Sequence, residues 1–163
     1  MKKVFWLIPM LLCVFSLRAE TIRIYKGDSS HYSSCVASSD GTKLYKGYST
    51  HHFDCIATNK NGKIYKGDST HHANCAATFK DGKFYKGDST HYSNCVATCK
   101  DGKIYKGDST HYSNCVATYD GTKLYRGDST HHSNCIFTFS SDVKHSSVLR
   151  MWVLYHYFRI FFE

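Results

Sequence analysis

Histidine and cysteine recur together along most of the chain at one fixed spacing. Six His-x-x-x-Cys pairs follow one another every twenty residues, at His31/Cys35, His51/Cys55, His71/Cys75, His91/Cys95, His111/Cys115 and His131/Cys135. Imidazole nitrogen and thiolate sulfur are good ligands for zinc and copper. A closed zinc site takes four ligands, whereas one copy offers two, or three where His52, His72 or His132 follows directly. A zinc or copper site at these twelve residues would therefore be shared between neighbouring copies.

A simpler interpretation gives the same residues a structural role. Cysteine packs as a small apolar side chain and is often buried, so each cysteine suits a short strand and each histidine a polar loop. The copies are alike because the unit was duplicated, so their regularity alone does not show that they bind a metal. The sequence favours this interpretation, without a cofactor, and keeps zinc or copper binding as the alternative.

Nucleophilic catalysis fits the sequence poorly. A Cys–His pair needs a third group that orients the base and a pocket for the substrate, and six equivalent copies define no unique site. Most copies also carry one carboxylate, at Asp28, Asp68, Asp88, Asp108 and Asp128, and Tyr48 replaces it in the second copy. We expect these carboxylates to form solvated ion pairs with lysines of the repeat. We therefore predict a protein without enzymatic activity and without catalytic residues.

Surface binding is the third kind of function that the repeat allows. Tyrosine, serine, threonine and histidine recur in every copy, and asparagine in most, as in residues 108–114 (DSTHYSN). Rows of such side chains form an extended aromatic face that can hydrogen-bond to a protein, a glycan or a cell-envelope polymer. The basic residues are spread evenly instead of forming a nucleic-acid footprint. We predict a structural or binding module with a partner of this kind and without nucleic acid.

The twenty-residue unit contains two strand-like segments, for example residues 63–67 (KIYKG) and 74–78 (NCAAT). A polar corner joins them within a unit, and Asn-Gly or Asp-Gly joins one unit to the next. Such pairs are strong hairpin signals because both residues tolerate positive φ. At Asp40-Gly41 and Asp120-Gly121 the glycine comes one position early, and we expect a bulged loop to absorb the shift. Residues 20–140 are thus predicted to form a six-repeat all-β domain.

Basic residues recur at two positions of the repeat, and we call each set of equivalent residues a column. The spacing within these columns discriminates between two all-β arrangements. One column holds Lys26, Lys46, Lys66, Lys86, Lys106 and Arg126, and the other holds Lys43, Lys63, Lys83, Lys103 and Lys123. In a β-solenoid, like charges about 4.8 Å apart would repel by on the order of 1 kcal/mol per pair even in water. In an antiparallel hairpin array the spacing doubles to about 9–10 Å, and salt screens most of the repulsion. The sequence favours the hairpin array, open or closed on itself, with the β-solenoid as the alternative.

Residues 81–87 (DGKFYKG) and 101–107 (DGKIYKG) resemble the D-G-x-x-Y-x-G core of MORN repeats. In this chain His-x-x-x-Cys occupies the stretch where MORN repeats carry a second glycine pattern. The resemblance implies a β-hairpin unit and a role in protein or membrane contacts. The unit is also similar to those of small exported bacterial proteins built from short β repeats.

Residues 1–19 read as a secretory signal peptide. Lys2 and Lys3 precede the apolar stretch 4–17, and residues 17–19 (LRA) form an acceptable cleavage site. We therefore predict a secreted or periplasmic protein. Cleavage would remove three basic residues, lowering Lys+Arg from 21 to 18 against 13 Asp+Glu and giving a net charge of +5. It would also remove Cys13, leaving seven cysteines, of which Cys99 is the one outside the repeat pattern.

Residues 141–163 form an apolar and aromatic tail. It is too short and too interrupted for a membrane span of roughly 20 residues. Arg150, His156 and Arg159 do not share one helical face, so we expect a poor amphipathic helix. The tail is either a cap over the exposed end of the repeat array or a degenerate end without a selected structure.

Overall fold

The computed structural model describes residues 20–159, so the predicted signal peptide (1–19) and residues 160–163 lie outside the described residues. Twelve strands account for the repeats: β1 (Ile22–Lys26), β2 (Cys35–Ser39), β3 (Lys43–Lys46), β4 (Cys55–Lys60), β5 (Lys63–Lys66), β6 (Cys75–Lys80), β7 (Lys83–Lys86), β8 (Cys95–Lys100), β9 (Lys103–Lys106), β10 (Cys115–Tyr119), β11 (Lys123–Arg126) and β12 (Cys135–Phe139). A helix, α1 (Ser147–Val153), follows and continues as a π-helical turn, Leu154–Phe158. Each repeat thus contributes one odd-numbered and one even-numbered strand.

The twelve strands form a closed antiparallel barrel in which every strand pairs with its neighbours in sequence. β1 and β12 complete the ring, with Ile24 opposite Phe139 and Tyr25 opposite Thr138. Closure leaves no unpaired sheet edge. The predicted hairpin array is therefore confirmed in its closed form, and the β-solenoid alternative is wrong because the ladders are antiparallel throughout.

Short turns join each even strand to the odd strand that follows, with two residues after β4, β6 and β8 and three residues after β2 and β10. At Asn61-Gly62 both φ angles are positive (52° and 76°), as a type I′ turn requires, and turns 81–82 and 101–102 share this pattern. At Gly41 (φ 94°) and Gly121 (φ 106°) glycine takes the first central position instead. In the first of these turns the Asp40 carboxylate accepts hydrogen bonds from the Thr42 and Lys43 N–H groups (2.8 and 2.7 Å), so a side chain closes the turn.

The two turn types leave the strand register unchanged. Ala37 faces Lys46 across β2 and β3, just as Ala57 faces Lys66 across β4 and β5. The bulged loop that we expected at Gly41 and its equivalent is therefore wrong, since a change of turn type accommodates the early glycine. A bulge lies instead between each odd strand and the even strand that follows it, at the opposite end of the barrel.

Alternate side chains of each strand face the inside of the barrel. The odd strands contribute one large apolar residue each, at Ile24, Leu44, Ile64, Phe84, Ile104 and Leu124, all without exposed surface. The even strands contribute alanine at Ala37, Ala57, Ala77, Ala97 and Ala117, and Phe137 in β12. This alternation of large and small residues lets the strands share one continuous layer.

Helix α1 and the π-helical turn pack inside the barrel. Val148, Met151 and Leu154 have no exposed surface, and the Trp152 ring meets the edge of the Phe137 ring at a centroid distance of 4.9 Å. These helical residues belong to the same apolar cluster as the inward strand residues. The helix begins near the turns, where the Ser147 hydroxyl donates a hydrogen bond to the carbonyl of Gly41.

The tail is a poor amphipathic helix, as predicted, because the buried residues of α1 are not confined to one side of it. A helix that is apolar on all sides is stable only where all sides are buried, and the barrel provides such surroundings. A closed ring also has no exposed array end to cap. Residues 147–158 of the tail are therefore neither an end cap nor structureless, because they supply the centre of the core.

Replacing Leu154 by alanine would leave a cavity at the centre of the barrel. We expect Leu154→Ala to lower the free energy of unfolding by about 2–5 kcal/mol, measured by urea denaturation. Tyr112→Ala serves as the control because Tyr112 is 74% exposed, and its effect should stay within about 0.5 kcal/mol. Equal effects of the two substitutions would show that the helix is not part of the folded core.

Candidate functional site

Six loops join each odd strand to the even strand that follows. We call residues 27–34, 47–54, 67–74, 87–94, 107–114 and 127–134 the loop ring. Each loop begins with a glycine of positive φ and ends in a single turn of 3-10 helix, for example His72–Asn74. Inside the loop, Ser69 Oγ accepts hydrogen bonds from the His71 N–H (3.1 Å) and from Asn74 Nδ2 (2.9 Å). These bonds give the loop a defined shape on the rigid barrel.

A threonine hydroxyl ties each loop to the repeat before it. Thr98 Oγ1 donates to the carbonyl of Gly107 at 2.8 Å, and Thr138 closes the ring by donating to the carbonyl of Gly27 at the same distance. The same bond is made by Thr58, Thr78 and Thr118. In the first repeat Ser38 takes this position and donates to the carbonyl of Gly47 at 3.0 Å.

Removing one of these hydroxyls should loosen the attachment of a loop. Thr98→Val keeps the shape of a side chain that is only 7% exposed but leaves the Gly107 carbonyl without this donor. We expect a loss of about 1–3 kcal/mol in the free energy of unfolding, measured by urea denaturation. The matched control is Thr110→Val, at an exposed loop position. If both variants were equally stable, the hydroxyl bond would not fix the loop.

A ring of ion pairs surrounds the barrel. Each pair joins a lysine of one repeat to the loop aspartate of the next: Lys43–Asp68 (2.6 Å), Lys63–Asp88 (2.7 Å), Lys83–Asp108 (2.6 Å), Lys103–Asp128 (2.7 Å) and Lys123–Asp28 (2.8 Å). The hydrogen bond from Lys123 holds the pKa of Asp28 below its ordinary value. The expected ion pairs are thus confirmed, with both partners at the surface and contributed by neighbouring repeats. Pairs so exposed to water contribute little to stability.

One junction in this ring uses different chemistry. Tyr48 replaces the aspartate of the second repeat, and Arg23 stands where the other repeats have lysine. The Arg23 guanidinium lies 3.9 Å from the centroid of the Tyr48 ring, so a cation–π contact replaces the ion pair. Sequence reasoning missed this contact, although the two paired departures from the repeat were a visible signal.

The loop histidines begin the 3-10 turns. His91 Nδ1 lies 2.8 Å from Ser93 Oγ and accepts a hydrogen bond from the Ser93 N–H (3.4 Å). His31, His111 and His131 repeat this geometry, and His71 accepts from the Ala73 N–H. An accepting Nδ1 places the ring proton on Nε2. In this tautomer the histidines serve as caps for the turns.

His51 makes no such bond, and Phe53 stands at the serine position of its loop. Its ring stacks on those of His52 and Phe53, at centroid distances of 4.6 Å and 5.2 Å. The second repeat therefore departs from the others at both its aspartate and its cap.

The six repeat cysteines begin the even strands, on the far side of the 3-10 turn from the histidines. They are half-buried free thiols, and the Sγ of Cys35 lies 3.4 Å from the carbonyl oxygen of Ala37. Burial raises the pKa of Cys35, as it does for Cys55, Cys75, Cys95, Cys115 and Cys135. Within residues 20–159 no three His, Cys, Asp or Glu side chains lie close enough to hold a metal ion. Zinc or copper binding at these residues stays a prediction.

Aromatic rings protrude from the loops. Tyr92 and Tyr112 are each 74% exposed, Tyr32 is 68% exposed and Phe53 is 83% exposed. The Tyr92 ring packs beside that of His91 with a centroid distance of 4.6 Å, and Tyr112 packs beside His111 at the same distance. These pairs place large apolar surfaces in water on ordered loops, which is typical of a contact surface.

A separate cavity of about 690 Å³ opens at the turn end of the barrel, between α1 and the third to fifth repeats. Helix α1 packs closest to β3 and β4, so it leaves space on the opposite side. The small side chain of Cys99 lies between Phe79 and Tyr119 in the layer that lines this space. Arg150 covers part of the lining, with its guanidinium 4.1 Å from the Phe79 ring centroid. The position of Cys99 varies among the repeats, and Ser39, Asn59, Phe79, Tyr119 and Phe139 occupy it elsewhere.

Burial raises the pKa of the Cys99 thiol to about 12. Alkylation requires the thiolate, so at pH 8 the reactive fraction should be on the order of a thousandfold smaller than for an ordinary cysteine. We expect iodoacetamide to modify Cys99 last among the seven thiols of folded residues 20–159, as measured by peptide mass spectrometry over time. In urea all seven should react at similar rates. Early modification of Cys99 in the folded protein would contradict this burial.

The closed barrel of six hairpins and its tethered loops define a β-repeat protein. Residues 24–154 match the model of the 6-fold beta flower protein family, which covers most of the chain, and the chain belongs to this family. No curated protein and no solved structure matches the chain significantly. The resemblance to MORN repeats thus predicted the β-hairpin repeat correctly but named a different family. In the described part of the chain, no helix has the length and apolar character needed to cross a membrane.

Proposed function

We propose that the protein is an exported, non-enzymatic binding module whose loop ring contacts an extended ligand of the cell envelope. The observation that carries this proposal is the set of exposed aromatic rings on the loops, led by Tyr92 and Tyr112. Large apolar side chains in water are unfavourable unless a partner covers them. Their repetition around the barrel suits a ligand that is itself repetitive.

The loops are held in a defined conformation, which supports binding without large rearrangement. The threonine bonds and the ion pairs connect each loop to the neighbouring repeat, and the histidine caps hold the turn that carries the exposed ring. A surface that is already ordered loses less conformational entropy on binding. Several equivalent loops can also bind one polymer together, which raises the overall affinity above that of a single loop.

Export is proposed from the pattern of residues 1–19, in which Lys2 and Lys3 precede an apolar segment. The absence of enzymatic activity is proposed from the repeat itself. The loop chemistry occurs in several equivalent copies, whereas a catalytic site combines different groups at one place. We assign no catalytic residue and no cofactor to this function.

Removing two neighbouring rings should weaken binding to the natural partner. We expect Tyr92→Ala/Tyr112→Ala to reduce co-sedimentation of the full chain with cell-envelope fragments by roughly tenfold in affinity, about 1.4 kcal/mol. The control Lys60→Ala/Lys80→Ala changes two exposed residues at the turn end and should bind as the unaltered protein does. Circular dichroism would verify that both variants are folded. If the unaltered protein does not co-sediment, or if the tyrosine variant binds equally well, the loop ring is not the contact surface.

A further inference from the structure

The cavity at the turn end of the barrel takes no part in the proposed function. We call it the turn-end cavity; the inward residues Phe84 and Ile104 form part of its wall, and helix α1 forms the opposite side. Its volume of about 690 Å³ falls within the range of about 300–1,000 Å³ that small-molecule sites usually occupy. The turn-end cavity is therefore large enough for a small organic ligand.

One face of the tail helix lines the turn-end cavity. The lining residues of this face are Ser146, Leu149, Arg150 and Val153. Their spacing of three, four and seven residues places them on the same side of an α-helix. From Ser146 to Val153 the helix rises by roughly 10 Å. The cavity therefore runs along the helix from the turns toward the inside of the barrel.

The inner part of the turn-end cavity is apolar. Phe84 and Ile104 have no exposed surface, and Val153 has almost none. The Phe79 ring lies against the Phe84 ring at a centroid distance of 4.8 Å. Cys99 has a shorter side chain at the position that Phe79 occupies in the preceding repeat. An apolar ligand group placed here would be removed from water, which favours binding.

A guanidinium group lies at the outer part of the turn-end cavity. The Arg150 side chain reaches back toward the start of the helix, where Nη2 donates a hydrogen bond to the carbonyl oxygen of His145 (2.9 Å). The same group lies 4.1 Å from the centroid of the Phe79 ring. Neither contact supplies a negative charge, and a guanidinium has five N–H donors. Arg150 can therefore bind a carboxylate with two parallel hydrogen bonds.

The charged groups at the entrance favour an anion. Those that line the cavity are Lys100, Lys144, Arg150, Asp101 and Asp120. Asp120 is engaged within its own turn, where it accepts hydrogen bonds from the Lys123 N–H (3.0 Å) and the Tyr125 hydroxyl (2.8 Å). The nearby Asp142 accepts a hydrogen bond from the Lys144 N–H (2.7 Å). With three lining cations against two lining carboxylates, an anionic ligand is attracted more than a cationic one.

We propose that the turn-end cavity binds a free medium-chain fatty acid, with its carboxylate at Arg150 and its acyl chain along helix α1 toward Val153. A single carboxylate matches the two-pronged geometry of the guanidinium. An acyl chain is apolar along its length and suits a cavity that is charged at its entrance and apolar inside. The cavity lies at the end of the barrel opposite the loop ring, so this inference is independent of the proposed function.

The test compares three probes that share one alkyl chain length: decanoate, decan-1-ol and decylammonium. Binding to the purified protein is measured by equilibrium dialysis near neutral pH. We expect decanoate to bind, and decan-1-ol to bind at least about tenfold more weakly because it has no charge. Decylammonium should bind more weakly still, because Arg150 repels it. Absence of decanoate binding at about 1 mM would overturn the proposal, and so would equal affinity for either of the other probes.

Two variants locate the ligand, and circular dichroism would verify that each is folded. Cys99→Phe fills part of the cavity with the side chain that Phe79 places at the same position of its own repeat, and it should weaken decanoate binding by at least about tenfold. Arg150→Gln should weaken decanoate binding by about tenfold and leave decan-1-ol binding unchanged. The control Lys60→Gln removes an exposed cation at another turn and should change decanoate binding by less than about twofold.

The outcomes for these variants decide both parts of the assignment. If folded Cys99→Phe binds decanoate as tightly as the unaltered protein, the ligand does not occupy the cavity. If Arg150→Gln weakens decanoate and decan-1-ol equally, the arginine acts through packing and the carboxylate assignment fails. Equal losses in Arg150→Gln and Lys60→Gln would mean that only total charge matters, which would also overturn the site.

The loop ring and the turn-end cavity can be tested separately. Tyr92→Ala/Tyr112→Ala should bind decanoate as the unaltered protein does, because both tyrosines lie at the other end of the barrel. Loss of decanoate binding in this folded variant would overturn the cavity as the site. If envelope fragments bind through the tyrosines but decanoate does not bind, this inference fails and the proposed function stands. If decanoate binds and envelope fragments do not, the proposed function fails alone.

Discussion

Twelve strands enclose more space than their own inward side chains can fill, and the rest of the structure depends on how that space is occupied. A barrel of about eight strands has an interior just wide enough to be filled by its own side chains. Here the inward residues of the even strands are mostly alanine, and Met151, Trp152 and Leu154 of the tail occupy much of the remaining volume. Thus the repeats form a wall, and a segment outside the repeats completes the core. The closed ladder and the buried helix stabilise each other, because neither could bury its apolar surface alone.

The outer surface follows from the same constraint. Since the inner face is apolar, the polar residues of each unit lie on the outside and in the loops, where they connect adjacent repeats. The aspartate of one loop binds the lysine of the preceding repeat, and a threonine hydroxyl binds the glycine carbonyl of the following loop. A loop is therefore positioned by two repeats at once. This arrangement can present aromatic rings such as Tyr92 in water without leaving the main chain free to move.

Much of this fold was predictable because the responsible signals are local. Asn61-Gly62 and its equivalents predict hairpins from the φ values that these residues tolerate, and the spacing of like charges favours antiparallel strands over stacked coils. The tail was not predictable by the same reasoning, since the periodicity of a helix indicates its packing only when one side faces water. Arg150 and His156 suggested an interrupted pattern, yet Arg150 lies over an aromatic ring and His156 packs edge-on against Phe137. The candidate site was partly visible in the tyrosines, but the pairing of each lysine with the loop aspartate of the next repeat required the strand register.

Closure by the same contacts that join the internal repeats has a consequence for how such a protein can change over evolution. Lys123–Asp28 and Thr138–Gly27 connect the last repeat to the first with the geometry found between all other neighbours. In an open array, a duplicated or deleted unit only changes the length, because each unit contacts its neighbours alone. In this barrel a gain or loss of twenty residues would alter the circumference around a helix of fixed width. Unequal recombination between near-identical units would therefore produce rings that fit their centre poorly.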